Sequence, residues 1–348
     1  MHFQFNYNID QECKSNFTEF YNSLNWVAIE QHPLWWKSIE PSKKICWFTA
    51  QKDGLIFCSA IIEERGEKFI RHASIQFGPL FRSNDALLLS LEQICLYYSR
   101  LGFVFLTVQL SLETGADADY IEYNINKTRK PVRYFDRENW SSVIIDLSLD
   151  LDVLLRNMSK GHKSDIKKAQ KSGLRVSCDF TGDHFDAFIS IYRKMHQFRG
   201  LKEHKDGSAV YLKGILDFFE KHKAGRFFLV YDDEQNVIGG IAIVYQNKTV
   251  RYFKGAADPD SRNLPVLHLA ITEGIKSSKA EGYAYFDLWG YNHFVTEDDQ
   301  VFFINRFKKG FGGSYIFYPK KMYFIFKPIQ YKLYRMTKAV YQRFVNKK

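Results

Sequence analysis

Two adjacent lysines stand beside a glycine cluster in Phe307-Lys308-Lys309-Gly310-Phe311-Gly312-Gly313. Glycines let a backbone approach an anion closely, but three of them without a surrounding fingerprint do not establish a phosphate cradle. Asp287 stands near the end of the apolar run Tyr283-Ala284-Tyr285-Phe286-Asp287-Leu288-Trp289. A carboxylate there could orient a proton or serve as a hydrogen-bonded structural group. His293 follows that run and a glycine, so it could line a cleft or be a loop histidine without a role. The ten histidines fall into no metal-ligand spacing, and no GxSxG, HExxH, Walker or strand-linked GxGxxG pattern occurs. Metal-dependent and serine-hydrolase chemistries are therefore disfavoured, and no metal is expected.

The elements that must position these residues occur twice. In the first half, 45–50 reads as a strand, Lys52-Asp53-Gly54 as a turn, and 55–62 and 68–75 as two more strands. Residues 84–100 have helical spacing, with Ser83 or Asn84 as N-cap and Gly102 as stop, and 103–110 reads as a buried strand. In the second half the same order returns: strands at 226–232, 237–246 and 249–256, a helix over 264–280 stopped by Gly282, and a strand at 283–289. Between the halves, helices are predicted over 151–173, 183–200 and 208–222. Three antiparallel strands, a helix and a further strand match the core order of the GNAT acyltransferase fold. The expectation is an α+β protein with mixed sheets: a domain over 1–148 and a second over 149–348, the latter ending in a basic helix at about 320–348.

A chain of 348 residues suits two domains, and 45% hydrophobic residues can fill both cores. The net charge of +10 is concentrated: Lys320–Lys348 holds nine Lys or Arg and no Asp or Glu. Such a tail suits an anionic partner or is simply a solvated face. Its aromatics (Tyr323, Phe324, Phe326, Tyr331, Tyr334 and Tyr341) sit among the cations as they do in interfacial helices. Five scattered cysteines fit reduced thiols. With no signal-peptide pattern and no long apolar run, the expected location is cytoplasmic, with peripheral contact at the inner membrane face through the tail.

Three segments resemble the FemABX family of peptidoglycan-bridge aminoacyltransferases. They are Arg156-Asn157-Met158-Ser159-Lys160-Gly161-His162 with the basic helix running on to Gly173, Tyr285-Phe286-Asp287-Leu288-Trp289-Gly290, and Ile304–Pro319 around Phe-Lys-x-Gly-Phe-Gly-Gly. The resemblance implies two tandem GNAT-like domains. It also implies transfer of an aminoacyl group from aminoacyl-tRNA to an amine of a cell-wall precursor, with charged tRNA as co-substrate and no resident cofactor. Aminolysis of an ester passes through an oxyanion that a cation can stabilise, and Lys308 matches the family lysine given that role. Arg199 matches a phosphate-binding arginine, Lys37 an early lysine contacting acceptor phosphates, and Tyr252 an acceptor-lining tyrosine. Asp287 joins this substrate-binding set.

Two departures matter. Gln109-Leu110 stands where the family often has Asp-Pro, which questions the usual acceptor. The alternative donor, acyl-CoA, calls for a glycine-rich loop before the second domain's helix. Arg262-Asn263-Leu264-Pro265-Val266-Leu267 lacks both glycines, and Pro265 lacks an N–H. An acyl-CoA-dependent N-acyltransferase of amino sugars remains the second reading, and a non-catalytic membrane- or anion-binding protein the third.

Overall fold

The computed structural model describes residues 1–345 except 67–68, 113–114, 128–131, 136–140, 180–183, 201–207 and 293. His293 therefore lies outside the described residues. The elements run β1 (His2–Asn6), α1 (Gln11–Ser23), α2 (Trp35–Ile39), β2 (Lys44–Lys52), β3 (Leu55–Arg65), β4 (His72–Ile75), β5 (Leu80–Phe81), α3 (Asn84–Arg100), β6 (Phe105–Val108), α4 (Ala116–Lys127) and β7 (Val132–Phe135). Then come β8 (Ser141–Asp146), α5 (Leu151–Asn157), α6 (Lys160–Lys171), β9 (Arg175–Asp179), α7 (Phe185–Phe198), α8 (Ala209–His222), β10 (Gly225–Tyr231), β11 (Val237–Gln246) and β12 (Thr249–Ala257). The chain closes with α9 (Val266–Ala280), β13 (Tyr285–Asp287), α10 (Gln300–Lys309), β14 (Ser314–Phe317), β15 (Met322–Ile325) and α11 (Pro328–Val345).

The duplicated order is borne out strand by strand. One sheet runs β1-β2-β3-β4-β6-β15-β7 and the other β9-β10-β11-β12-β13-β8-β14. Both use the same sequence of pairings. Three antiparallel ladders are followed by one parallel ladder, β4 with β6 and β12 with β13. Two further antiparallel ladders complete each sheet. The place that β8 fills in one sheet is filled in the other by β15, from the far end of the chain.

This exchange redraws the division expected from the sequence. One compact unit comprises 1–36, 42–139 and 318–348; the other comprises 37–41 and 140–317. The tail therefore belongs with the first unit, because β15 is hydrogen-bonded between β6 and β7. The strand β8, placed before the expected boundary at 148, belongs with the second, because it pairs with β13 and β14.

Local chemistry explains most boundaries. Ser83 Oγ accepts from Ala86 N and starts α3, whose Leu87, Leu91, Ile94 and Tyr98 line one buried face. Gly102, at φ +77°, ends that helix. The helix expected over 151–173 is broken into α5 and α6 because Ser159 caps the second piece, its Oγ accepting from His162 N. The helix α9 starts at Val266, two residues later than expected, directly after Pro265. The core of the second unit joins Val143, Ile145, Phe228, Ile241, Ile243, Val250 and Phe286 of the sheet to Leu269, Ala270 and Ile275 of α9.

Candidate functional site

The parallel ladder of the second unit pairs Thr249–Arg251 with Tyr285–Asp287 and then stops. β12 continues to Ala257, still paired with β11 but, among the described residues, with no strand on its other edge. The strand expected over 283–289 therefore shows a ladder of only three residues. Its continuation turns away at Trp289 and Gly290, both left-handed at φ +46° and +63°. The two strands part there, and β12 carries a bulge at the same place. Ala242 pairs with Lys254 and Ile243 with Tyr252, so Phe253 is the extra residue.

Lys308 points into this parting. It is 8% exposed. Its Nζ donates to Gly290 O at 2.9 Å and to Trp289 O. Two of three ammonium donors are thus engaged, which leaves one N–H without a partner among the described residues. Burial lowers its pKa to about 8, and the Asp287 carboxylate partly offsets that shift. The adjacent Lys309 is exposed, its Nζ 5.8 Å from the Tyr315 ring, so helix geometry separates the two lysines.

Asp287 is buried and engaged on every side. Its Oδ1 accepts from Trp289 N at 2.8 Å and from Ser142 Oγ. Its Oδ2 lies 3.5 Å from Arg251 Nε, and the Arg251 guanidinium stacks 3.5 Å above the Trp289 ring. Asp287 therefore builds the turn whose carbonyls hold Lys308 and offers little surface to a ligand. Asp287→Ala would remove the buried carboxylate that Arg251 faces and the acceptor of Trp289 N and Ser142 Oγ. A loss of about 3–5 kcal/mol is expected, measured as a lower urea midpoint at unchanged slope.

His162 fixes the helix that carries the lysine. A carbonyl can only accept, so the ring Nε2 donates to Phe307 O at 2.8 Å, and Nδ1 lies 3.1 Å from Ser159 Oγ. Burial lowers its pKa and lowers that of its neighbour His268 to about 4, so both rings are neutral near pH 7. The glycine cluster has a packing reason. A Cβ on Gly310 would fall 2.0 Å from the His162 ring, and one on Gly313 2.5 Å from Ile144 O. Close approach of backbone, rather than phosphate, accounts for those glycines.

Of the other sequence candidates, Tyr252 and Arg199 lie near each other. Tyr252 is half-buried, and its phenol pKa is raised by burial and by Tyr192, against the opposing charge of Arg199. Arg199 is exposed at the C-cap of α7. Lys37 is the exposed basic residue in the last turn of α2, within the segment 37–41 that packs with the second unit. Gly214 of α8 meets the backbone of Ser38 and Ile39 there. Neither Lys37 nor Arg199 bonds Lys308 or Asp287. Sequence reasoning missed Arg251, Trp289 and Ser142. A lone cation inside the apolar run Thr249-Val250-Arg251-Tyr252-Phe253, opposite an inward aspartate on a neighbouring strand, was the available signal.

The loop that would cradle a CoA pyrophosphate does not fit one. Arg262 N, Leu264 N and Val266 N already donate to Pro259 O, Ser261 O and Leu264 O, and Pro265 has no N–H. Gln109 is likewise structural: its N donates to Ile75 O at 3.0 Å and its Nε2 to Pro319 O at 2.8 Å. Among the described residues, no group of three His, Cys, Asp or Glu could hold a metal ion.

Residues 156–308 match the family model described as an acetyltransferase (GNAT) domain. The matched segment is a GNAT-type acyltransferase domain within the second unit. More particularly, the fold is that of FemX, whose crystal structure superposes with a TM-score of 0.79 at 13% identity, covering 96% of this chain and 99% of that one. The C-terminal domain of a protein described as a lysylphosphatidylglycerol synthetase from Agrobacterium fabrum is also similar, at TM-score 0.60 and 11% identity over 89% of this chain and 90% of that one. A tandem GNAT protein from the clavulanic acid biosynthesis pathway gives 0.57 and 9%, over 93% of this chain and 99% of that one. No curated protein matches in sequence.

Proposed function

We propose that the second unit transfers an aminoacyl group from the ester of an aminoacyl-tRNA to an amine, with a cell-wall precursor as acceptor. The observation that carries this reading is Lys308: a buried ammonium with one donor to spare, at the point where β12 and β13 part. The acceptor amine attacks the ester carbon, and the carbonyl oxygen becomes an oxyanion within reach of the Lys308 N–H. The C–N bond forms, the C–O bond breaks, and the ribose oxygen leaves with a proton from the amine. Because Lys308 is buried, its charge acts at a lower dielectric than in water, where its field is stronger. The FemX-like fold and the amides already engaged before α9 both favour a donor other than acyl-CoA. Arg199 and Lys37, both exposed cations on the second unit, would meet the acceptor's phosphates, with half-buried Tyr252 lining its path.

The test is transfer of a radiolabelled amino acid from charged tRNA to a muropeptide precursor. No transfer from any charged tRNA would sink the reading. Transfer from acyl-CoA, with calorimetric binding of CoA, would replace it with the amino-sugar alternative.

The protonation state supplies a second check. An oxyanion role needs Lys308 charged, and that charge is lost as pH rises through about 8. The ratio of wild-type to Lys308→Met rates should therefore fall above pH 8, with the acceptor's own titration cancelling in the ratio. A ratio that rises through pH 8 would mean that the neutral amine acts as a base.

A further inference from the structure

The last helix presents two unlike faces. Tyr331 and Tyr334 turn inward, with ring centroids 5.0 and 5.1 Å from Phe105, and Tyr334 lies 5.6 Å from His72. Tyr323 and Phe324 are part of β15, within the sheet. Tyr323, Phe324, Tyr331 and Tyr334, four of the aromatics that the sequence set among the tail's cations, are thus engaged by the first unit itself. Among the described side chains of the helix, the large hydrophobic ones left exposed are Ile329, Leu333, Met336 and Val340, at 79%, 53%, 58% and 53% exposure. Their spacing of four, three and four residues places them on one line along the helix, opposite the two tyrosines. Lys332 is exposed beside this line and Arg335 farther round the helix, while Lys338 falls on the side of the two tyrosines, near His72; no acidic residue occurs from Lys320 to Lys348.

We propose that α11 lies on an anionic lipid bilayer, with Ile329, Leu333, Met336 and Val340 entering the headgroup–acyl boundary and Lys332 and Arg335 reaching the lipid phosphates. Charge alone would suit RNA equally well. A stripe of four exposed aliphatic side chains is what a bilayer rewards and a phosphate backbone does not. An uncharged protein partner would cover the stripe but leave the flanking cations without complement. No helix among the described residues is long and apolar enough to cross a membrane, so the contact is a surface one.

Full-length protein sedimented with vesicles of phosphatidylglycerol and phosphatidylcholine should bind, and binding should weaken as salt rises. The double variant Leu333→Asp/Met336→Asp should bind at least about tenfold more weakly while melting at the wild-type temperature, since both side chains are solvent-facing. Point substitutions are needed because removing the tail would also remove β15. Equal binding by wild type and variant overturns the proposal, as does equal binding to pure phosphatidylcholine. It is also overturned if RNA is retained and vesicles are not. A wild-type dimer that the variant converts to monomer, with no vesicle binding by either, would assign the stripe to a second copy instead.

Discussion

Lys308→Met is expected to lower turnover by about 10²–10³-fold while KM stays nearly unchanged, because the lost contact forms only as charge develops on the acyl oxygen. Methionine keeps the length and most of the volume, so the packing around α10 is retained. The lysine also donates to Trp289 O and Gly290 O, so the substitution frees two buried carbonyls. A purely structural role would therefore appear as a lower melting temperature and a higher KM, with the pH dependence of kcat preserved. A catalytic role removes the limb near pH 8 that a buried lysine of lowered pKa imposes. The single result that decides is kcat at saturating substrate. A variant within about threefold of wild type would leave the transition state without this cation, since one oxyanion donor is worth at least 10²-fold.

The repeat was legible because hydrophobic periodicity is a local property. Strands such as Phe227–Val230 and helices such as α3 announce themselves in their own residues. The exchange of β8 and β15 was not legible. Both are short apolar segments, and nothing in Ser141–Asp146 or Met322–Ile325 says which sheet will accept it. Lys308 could be singled out by resemblance, but the choice between it and Lys309 required the helix: one turns inward and the other stacks above Tyr315. Arg251 escaped notice because its partner Asp287 lies on a strand more than thirty positions away, and only the parallel register brings them level. The break between α5 and α6 came from a single serine acting as a cap, where the surrounding composition reads as one continuous helix.

A chain ending at Phe317 is expected to lose the folded first unit and keep the second. All seven strands of the second sheet precede that point, whereas the first sheet would lose β15 from between β6 and β7. Met322, Phe324 and Ile325 are almost fully buried. At about 1.5–3 kcal/mol for burying each such side chain, their removal is comparable to the whole stability of a domain, about 5–15 kcal/mol. Tyr331 and Tyr334 would leave Phe105 and His72 at the same time. Calorimetry should show the wild-type melting of one unit alone, and limited proteolysis should cleave within 1–139 while sparing 140–317. A truncated chain that unfolds with the wild-type enthalpy would mean that the first sheet closes without β15. The same geometry has a kinetic consequence. Gln109 is joined to Pro319 across 210 positions, so the first unit cannot complete its sheet until nearly the whole chain is available. Its closure is then the slow, non-local step of folding, and the second unit should reach its native state first.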